Sequence, residues 1–295
     1  MDFRALGMGL AFAFMWSSAF TSARIIVAHA PPLGISALRF LIAGVIAVTI
    51  ARALGQSWRL TTSQARLTVI FGVCQNALYL GLFFVAMQTI EASLAAIIAS
   101  TMPLLVALAG WAIFGERVRP LGVAGLVAGF AGVAIIMGSR LQGGGVDMLG
   151  LGLCVIGVLA LTFATLAVRG ASSGGNVLMI VGLQMLVGSA VLAPASLLLE
   201  EWRIDWSTSF VLAFAYTVIV PGLIATLVWF LLVRRIGAVK AATYHFLNPF
   251  FGVAVAAVLL GERLGVWDVV GVLVIMAGIL AVQLSRQPVT NPTRT

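Results

Sequence analysis

Residues 115–118 read Gly-Glu-Arg-Val, and residues 261–264, which lie 146 positions further along the chain, read Gly-Glu-Arg-Leu. The similarity extends upstream, where Pro103 corresponds to Pro249 at the same offset. Other matched pairs are Gly125 with Gly271, Gly132 with Gly278, Arg140 with Arg286 and, at an offset of 143, residues 6–10 with residues 149–153. Chance similarity between apolar segments does not explain a shared charged triplet. The chain is therefore predicted to contain two homologous halves.

The composition around these repeats is that of a membrane protein. Hydrophobic residues make up 62% of the 295 residues and charged residues 9%, with a mean hydropathy of +1.15. Soluble domains carry roughly 25% charged residues, so this chain could not cover a water-exposed surface. A soluble enzyme, a nucleic-acid-binding domain and a disordered protein are therefore poorly supported. The net charge of +8 is scattered between apolar runs and forms no basic stripe.

Ten apolar runs are long enough to span a bilayer as helices, since a spanning helix needs about 20 such residues. They cover about residues 6–28, 33–53, 67–88, 91–114, 120–138, 148–168, 177–199, 209–233, 238–260 and 266–285. Each half holds five runs, an odd number, so the second half must cross the membrane in the opposite sense. We therefore expect an all-α polytopic membrane protein with two inverted five-helix repeats around a central cavity. The expected units are a first repeat at 1–142, a second at 143–286 and a disordered tail at 287–295.

The distribution of basic residues predicts the orientation. With the N-terminus inside, 12 of the 17 Lys and Arg residues lie on the inner side. Cytoplasmic loops carry the excess of Lys and Arg, so we expect a multi-pass protein of the bacterial inner (plasma) membrane with both termini in the cytoplasm.

Polar and aromatic side chains inside the apolar runs are the candidates for a substrate site. Amides and imidazoles at this depth must face protein or water, so they either line a cavity or make interhelical hydrogen bonds. Aromatic rings either stack on a substrate or belong to the interfacial belt. The expected substrate-binding residues are Trp16, Phe20, Gln75, Asn76, Tyr79, Phe83, Phe163, Tyr244, His245 and Asn248. Phe163 is included as the repeat counterpart of Phe20, and Tyr244 because it lies four residues from Asn248.

Three prolines inside the runs, Pro103, Pro221 and Pro249, are expected to bend their helices and to act as hinges or gates, although a packing kink is the alternative. The glycines at 122, 125, 129 and 132 suit either close packing between helices or dimerisation.

The positions of the charged residues favour one transport mechanism over another. All nine acidic residues lie at or near the ends of the apolar runs, which argues against a carboxylate proton relay and favours facilitated transport. Arg39 lies about two turns into the second run, where it either guides an anion or pairs with an outer acid. Lys240 either snorkels to the headgroups or attracts a carboxylate. The carboxylates of Glu116 and Glu262 are expected to cap or lock helix corners, or else to form gate contacts.

No cofactor or metal site is expected. Cys74 and Cys154 lie inside apolar runs, and His29 and His245 are the only histidines, with His29 in a loop. An intramembrane enzyme would need a histidine cluster or a Ser-His pair at mid-depth, and the sequence offers neither.

With two five-helix repeats and a proline twelve residues before each Gly-Glu pair, the chain resembles the EamA-type members of the drug/metabolite transporter superfamily. Within that superfamily it looks most like the bacterial aromatic amino acid exporters of the YddG type. The resemblance implies export of small organic metabolites by alternating access, without ATP hydrolysis. The expected partners are a small-molecule substrate, such as an aromatic or apolar amino acid, and the lipid bilayer. We expect the cavity between the first, third, fourth, sixth, eighth and ninth helices. A nucleotide-sugar or phosphate-ester antiporter of the same superfamily, and a channel, are the alternatives.

Overall fold

The computed structural model describes residues 2–142, 146–167 and 174–286, and within them ten helices are long and apolar enough to span a membrane. They are α1 Phe3–Val27, α2 Pro32–Ala53, α3 Thr62–Ala86, α4 Ala92–Phe114, α5 Pro120–Leu141, α6 Met148–Ala167, α7 Val177–Leu199, α8 Thr208–Ile236, α9 Lys240–Leu260 and α10 Val266–Ser285. Each coincides with one predicted apolar run, so the expected all-α fold with ten spans is confirmed. The tail predicted at 287–295 lies outside the described residues.

The two ends of the bundle can be identified from contacts between helix ends. Asp2 pairs with Arg235, and Gln56 accepts a hydrogen bond from the backbone N–H of Met179, so these residues share one end, here the N-face. Thr89 donates to Asp147 and Arg140 pairs with Asp268 at the other end, here the distal face. Alternate helices therefore run in opposite directions between the two faces.

Glycine ends the corresponding helices α4 and α9 in the same way. Gly115 has φ +65° and Gly261 has φ +67°, both in the left-handed region that glycine adopts without steric cost. The repeated Gly-Glu pair therefore marks a repeated helix stop.

The contact between α5 and α10 displays the inverted symmetry directly. A methyl group at Gly125 would lie 2.7 Å from the carbonyl oxygen of Gly278, and one at Gly132 would lie 2.8 Å from that of Gly271. Because Gly125 corresponds to Gly271 and Gly132 to Gly278, each position contacts the counterpart of the other. Such reciprocal contacts define a two-fold relation between antiparallel helices. The glycines on α5 thus allow close packing within the chain.

Four helices depart from α-helical geometry at matching places in the two halves. Wide π-helical turns occupy Gly72–Leu80 in α3 and Val218–Ile224 in α8, and their first residues lie 146 positions apart. In α4 a break at residues 100–101 precedes Pro103, and in α9 the 3₁₀ segment Thr243–Leu247 precedes Pro249. Such irregular turns change the direction of side chains and often occur at functional sites. The irregular turns in α3, α4 and α8 lie near the middle of their helices, and the 3₁₀ segment lies in the half of α9 nearer the N-face.

Two carboxylates of the second half cap helices of the first half at the distal face. Glu262 accepts hydrogen bonds from the backbone N–H groups of Ala92 and Ser93 at 2.7 and 2.9 Å. Glu200 accepts from Leu33 and Gly34 at 2.8 and 2.9 Å. A carboxylate at a helix N-terminus satisfies free N–H groups and complements the helix dipole, typically worth about 1 kcal/mol. The capping expected of Glu262 is therefore present, and it joins the two halves.

Candidate functional site

A cavity of about 670 Å³ lies between the two halves and is the candidate substrate site. Helices α1 to α4 and α6 to α9 line it, whereas α5 and α10 pack on each other outside it. All six expected helices take part. The helices α2 and α7 were not expected in the wall. From α2 come Arg39, Phe40 and Ala43, and from α7 come Val177, Ile180, Val181, Gln184 and Met185.

The cavity reaches the N-face and is closed at the distal face. Its lining includes Gln64, Val177 and Val233, half-buried residues near helix ends at the N-face. At the opposite end its ceiling includes Ala23 and Met87, which are almost fully buried. Beyond this ceiling the side chains of Ile26, Ile35 and Ile90 belong to one packed apolar cluster. The cavity is therefore open to the N-face only.

Eight of the ten expected substrate-binding residues line the cavity: Trp16, Phe20, Gln75, Asn76, Tyr79, Phe83, His245 and Asn248. The expected hinge residues Pro103 and Pro221 also line it, whereas Pro249 is buried outside the wall. Whether the three prolines act as hinges stays a prediction.

Phe163 does not belong to the cavity, so that expectation was wrong. Its side chain is 59% exposed on the outside of the bundle. Leu161 and Thr165, which lie four residues apart, face the cavity, and a shift of two residues turns an α-helix by about 200°. The repeat alignment with Phe20 therefore did not carry over to the direction of the side chain.

Tyr244 also lies outside the cavity, and the local helix type explains why. It packs beside Gly9 and with Leu232 and Ala241 near the N-face. Tyr244 and Asn248 are four residues apart, and they would share a face only if this segment were α-helical. Because residues 243–247 form a 3₁₀ segment, side chains three apart align instead. His245 accordingly contacts Asn248, with Nδ1 and Nδ2 2.9 Å apart.

Aromatic rings form one cluster in the half of the cavity nearer the N-face. The ring of Phe12 lies 5.7 Å from that of Trp16, 4.7 Å from that of Trp229 and 5.3 Å from that of His245. The rings of Trp229 and His245 are 5.2 Å apart. Phe12 was missed in the sequence, although it precedes Trp16 and Phe20 in a stripe of spacing four.

A second aromatic cluster lies nearer the distal face. Tyr79 and Phe83 contact edge to face at 4.7 Å, and the ring of Phe20 lies 6.0 Å from that of Phe83. The π-helical turn that holds Tyr79 also places Gln75 and Asn76 on the wall, so amide groups lie beside the rings. This half of the cavity combines apolar surface with hydrogen-bonding groups.

Arg39 is the only Lys, Arg, Asp or Glu among the described residues that line the cavity. It is 7% exposed, and the carbon of its guanidinium lies 4.3 Å from the ring centroid of Phe40 and 4.8 Å from that of Phe84. The sequence left open whether Arg39 pairs with an outer acid. Within the described chain it has no such partner, and its Nε and Nη2 atoms make no hydrogen bond.

Among the lining residues, Oδ1 of Asn248 is also buried without a hydrogen-bond partner in the described part of the chain. Those residues also contain no group of three or more His, Cys, Asp or Glu side chains that could hold a metal ion. The lining of the cavity can bind a ligand by aromatic stacking, by hydrogen bonds and by the charge of Arg39.

Comparison with known proteins places this architecture among transporters. The model of the EamA-like transporter family matches residues 3–138 and 148–284, once in each half. The chain is 30% identical to the uncharacterized inner membrane transporter YedA of Escherichia coli (strain K12), over 90% of this chain and 85% of that protein. It is 27% identical to the uncharacterized transporter YvbV of Bacillus subtilis (strain 168), over 91% and 88%.

A more distant relative is the probable amino-acid metabolite efflux pump of Salmonella typhimurium (strain LT2), 25% identical over 92% of each chain. A protein crystal structure at 22% identity superimposes with a TM-score of 0.69, over 96% of this chain and 98% of that one, and supports the fold alone.

Proposed function

This chain belongs to the EamA-like transporter family, and we propose that it exports small organic metabolites with an aromatic or apolar body across the inner (plasma) membrane. Aromatic and apolar amino acids are the first candidates. The proposal rests on one observation above all, the central cavity between two inverted halves, open to one face and closed at the other.

The symmetry of the fold supports alternating access as the mechanism. When two halves are related by a two-fold axis in the membrane plane, exchanging their conformations converts an opening on one face into an opening on the other. The distal face is held shut by contacts between halves, among them the capping of α4 by Glu262. In the proposed cycle these contacts break after loading, while equivalent contacts form at the N-face.

The wall of the cavity supports an aromatic substrate. The two ring clusters provide faces and edges on which a planar apolar group can stack, and such contacts are worth about 0.5–1.5 kcal/mol each beyond area burial. His245, Gln75, Asn76 and Asn248 provide hydrogen bonds that fix the polar end of a substrate. The name of the amino-acid metabolite efflux pump agrees with this substrate class.

We further propose that transport is facilitative and that both termini lie in the cytoplasm, so the N-face opens to the cytoplasm. No Asp or Glu lines the cavity within the described residues. Several of the carboxylates act at the faces instead, as Glu200, Glu262 and Asp268 do. A proton relay would need a titratable acid on the substrate path.

The test is efflux from proteoliposomes that contain the purified full chain. We expect saturable export of phenylalanine or tryptophan that persists when a pH gradient is collapsed. The double variant His245→Ala, Tyr79→Ala should lose saturable export, whereas Phe163→Ala, an exposed aromatic outside the cavity, should retain it. Uphill transport that disappears with the pH gradient would contradict the facilitative mechanism, and non-saturating ion flux would indicate a channel.

A further inference from the structure

Arg39 is a buried cation for which the described protein supplies no counter-charge. It lies on α2 about two turns from the distal face, 7% exposed, with Nε and Nη2 lacking any hydrogen-bond partner. The rings of Phe40 and Phe84 lie 4.3 and 4.8 Å from the guanidinium carbon. Aromatic faces attract a guanidinium, but they leave its N–H donors unsatisfied.

The acid at the distal end of α7, the helix that packs along α2, is already engaged. Glu200, at the end of α7, accepts hydrogen bonds from Leu33, Gly34 and the hydroxyl of Ser196. Its carboxylate therefore caps α2 and does not line the cavity, where Arg39 lies. Buried charges in proteins are normally paired, because an uncompensated one is strongly destabilising. The missing partner of Arg39 is then a group that enters through the cavity.

We propose that the cavity binds a monoanionic aromatic carboxylate, with the carboxylate on Arg39 and the ring against Tyr79 and Phe83. This inference rests on the proposed exporter function and revises its first candidates, because it ranks aromatic carboxylates without an ammonium group ahead of amino acids. A guanidinium presents parallel N–H donors that match the two oxygens of a carboxylate. Arg39 and Tyr79 line the same cavity, and the ring of Tyr79 contacts that of Phe83 at 4.7 Å, so the charge and the aromatic surface face one binding space.

The same arrangement disfavours a zwitterion. An ammonium group on the substrate would enter a cavity whose described lining holds one cation and no carboxylate. Its charge would lose water without gaining an ion pair, which opposes binding. A molecule with a hydroxyl or carbonyl in place of the ammonium avoids this cost, so 2-hydroxy and 2-oxo acids with an aromatic body are the favoured ligands.

The test uses three compounds that share one carbon skeleton: 3-phenyllactate, phenylalanine and phenylalaninamide. Their binding to the full chain in nanodiscs is measured by calorimetry, and their counterflow is measured in proteoliposomes. We expect 3-phenyllactate to bind roughly tenfold or more tightly than phenylalanine, and phenylalaninamide to bind weakest. Arg39→Gln should weaken 3-phenyllactate binding by roughly 10- to 100-fold, and Arg39→Lys should lose less.

A stability measurement separates a binding role from a structural one. Removing an unpaired buried charge relieves a cost, so Arg39→Gln and Arg39→Met should melt at the same or a higher temperature than the parent chain. A strong loss of stability in both variants would show that Arg39 holds the fold, and it would overturn the inference. Phenylalanine binding as tightly as 3-phenyllactate would also overturn it while leaving the exporter function intact. If none of the three compounds binds or is transported, both the inference and the proposed exporter function are contradicted.

Discussion

Trp16 lies on the cavity wall, half-buried, with its ring 5.7 Å from that of Phe12, and Phe163 lies on the outside of the bundle. Both are aromatic residues near the middle of apolar helices, and the sequence alone placed both in the site. Their different positions make them a matched pair for testing the site.

Trp16→Ala is expected to weaken binding of 3-phenyllactate and phenylalanine by roughly 5- to 10-fold, since it removes one stacking surface worth about 1 kcal/mol. Calorimetry in nanodiscs measures the effect. Phe163→Ala is the control and should leave both dissociation constants unchanged. Equal losses in the two variants would mean that the effect comes from a general loss of helix packing.

At the residue scale, most of the predicted substrate-binding residues do line the cavity, but the sequence did not single out the most informative lining residue. The stripe of Gln75, Tyr79 and Phe83 at spacing four was recognisable, and its residues do line the cavity. Arg39 was recognisable only as a deep cation with two possible roles. The choice between them depends on whether an acid lies within reach on another helix, and tertiary structure alone decides that.

At the scale of the helix, the irregular turns position the site. The π-helical turn Gly72–Leu80 carries Gln75, Asn76 and Tyr79, and the 3₁₀ segment Thr243–Leu247 carries His245. The sequence predicted bends from the prolines. It did not predict the change of helical period, so Tyr244 was assigned to the face that His245 occupies.

The break before Pro103 gives a prediction about motion. Pro103→Ala restores a backbone N–H and removes the ring that disfavours helix at the preceding residue. We expect the break at residues 100–101 to become helical and turnover to fall about tenfold, with ligand binding unchanged, because conformational steps commonly limit transport-type cycles. Counterflow rates and calorimetry on the same preparation measure the two quantities.

Pro194→Ala is the matched control for this prediction. Pro194 also lies inside a spanning helix, α7, but is exposed and outside the cavity wall. It should leave turnover unchanged. If Pro103→Ala turns over at the parental rate, the proline is a packing kink and the hinge prediction is wrong.

At the scale of the whole molecule, the two halves are joined by glycine contacts in the α5–α10 pair. A methyl group at Gly278 would lie 2.5 Å from the backbone nitrogen of Gly129 and 2.7 Å from its Cα. Backbone atoms at this distance cannot move away without separating the helices. Gly278→Ala is therefore expected to destabilise the protein by about 1–3 kcal/mol.

Gly138→Ala on α5 is the control, since a methyl group there meets nothing within 4 Å. It should be neutral or slightly stabilising because alanine favours helix. Thermal unfolding followed by a thiol-reactive dye measures both variants, since Cys154 is buried in the folded protein. Similar melting temperatures for the two variants would mean that the α5–α10 contact adapts and does not hold the halves together.

The architecture of the whole molecule was predictable because duplication leaves its mark on the sequence. The paired Gly-Glu-Arg triplets and the odd number of spans per half were sufficient for the inverted arrangement. The entry of α2 and α7 into the cavity wall was not predictable, since it depends on how the halves pack. Gly44 and Gly182, whose added methyl groups would each lie 3.0 Å from the other's carbonyl oxygen, bring these two helices together.

The unpaired guanidinium of Arg39 also gives the empty carrier an electrical charge. In the proposed orientation, with the N-face in the cytoplasm, the open cavity would hold Arg39 near the potential of a negatively polarised interior, and opening outward would move that charge through the field. A monoanion neutralises it, so the loaded carrier crosses with little electrical work. Each 100 mV of membrane potential then biases the empty form toward the cytoplasm by up to about 2.3 kcal/mol. The proposed carrier is therefore expected to return by a voltage-driven step and to export an anion electrogenically.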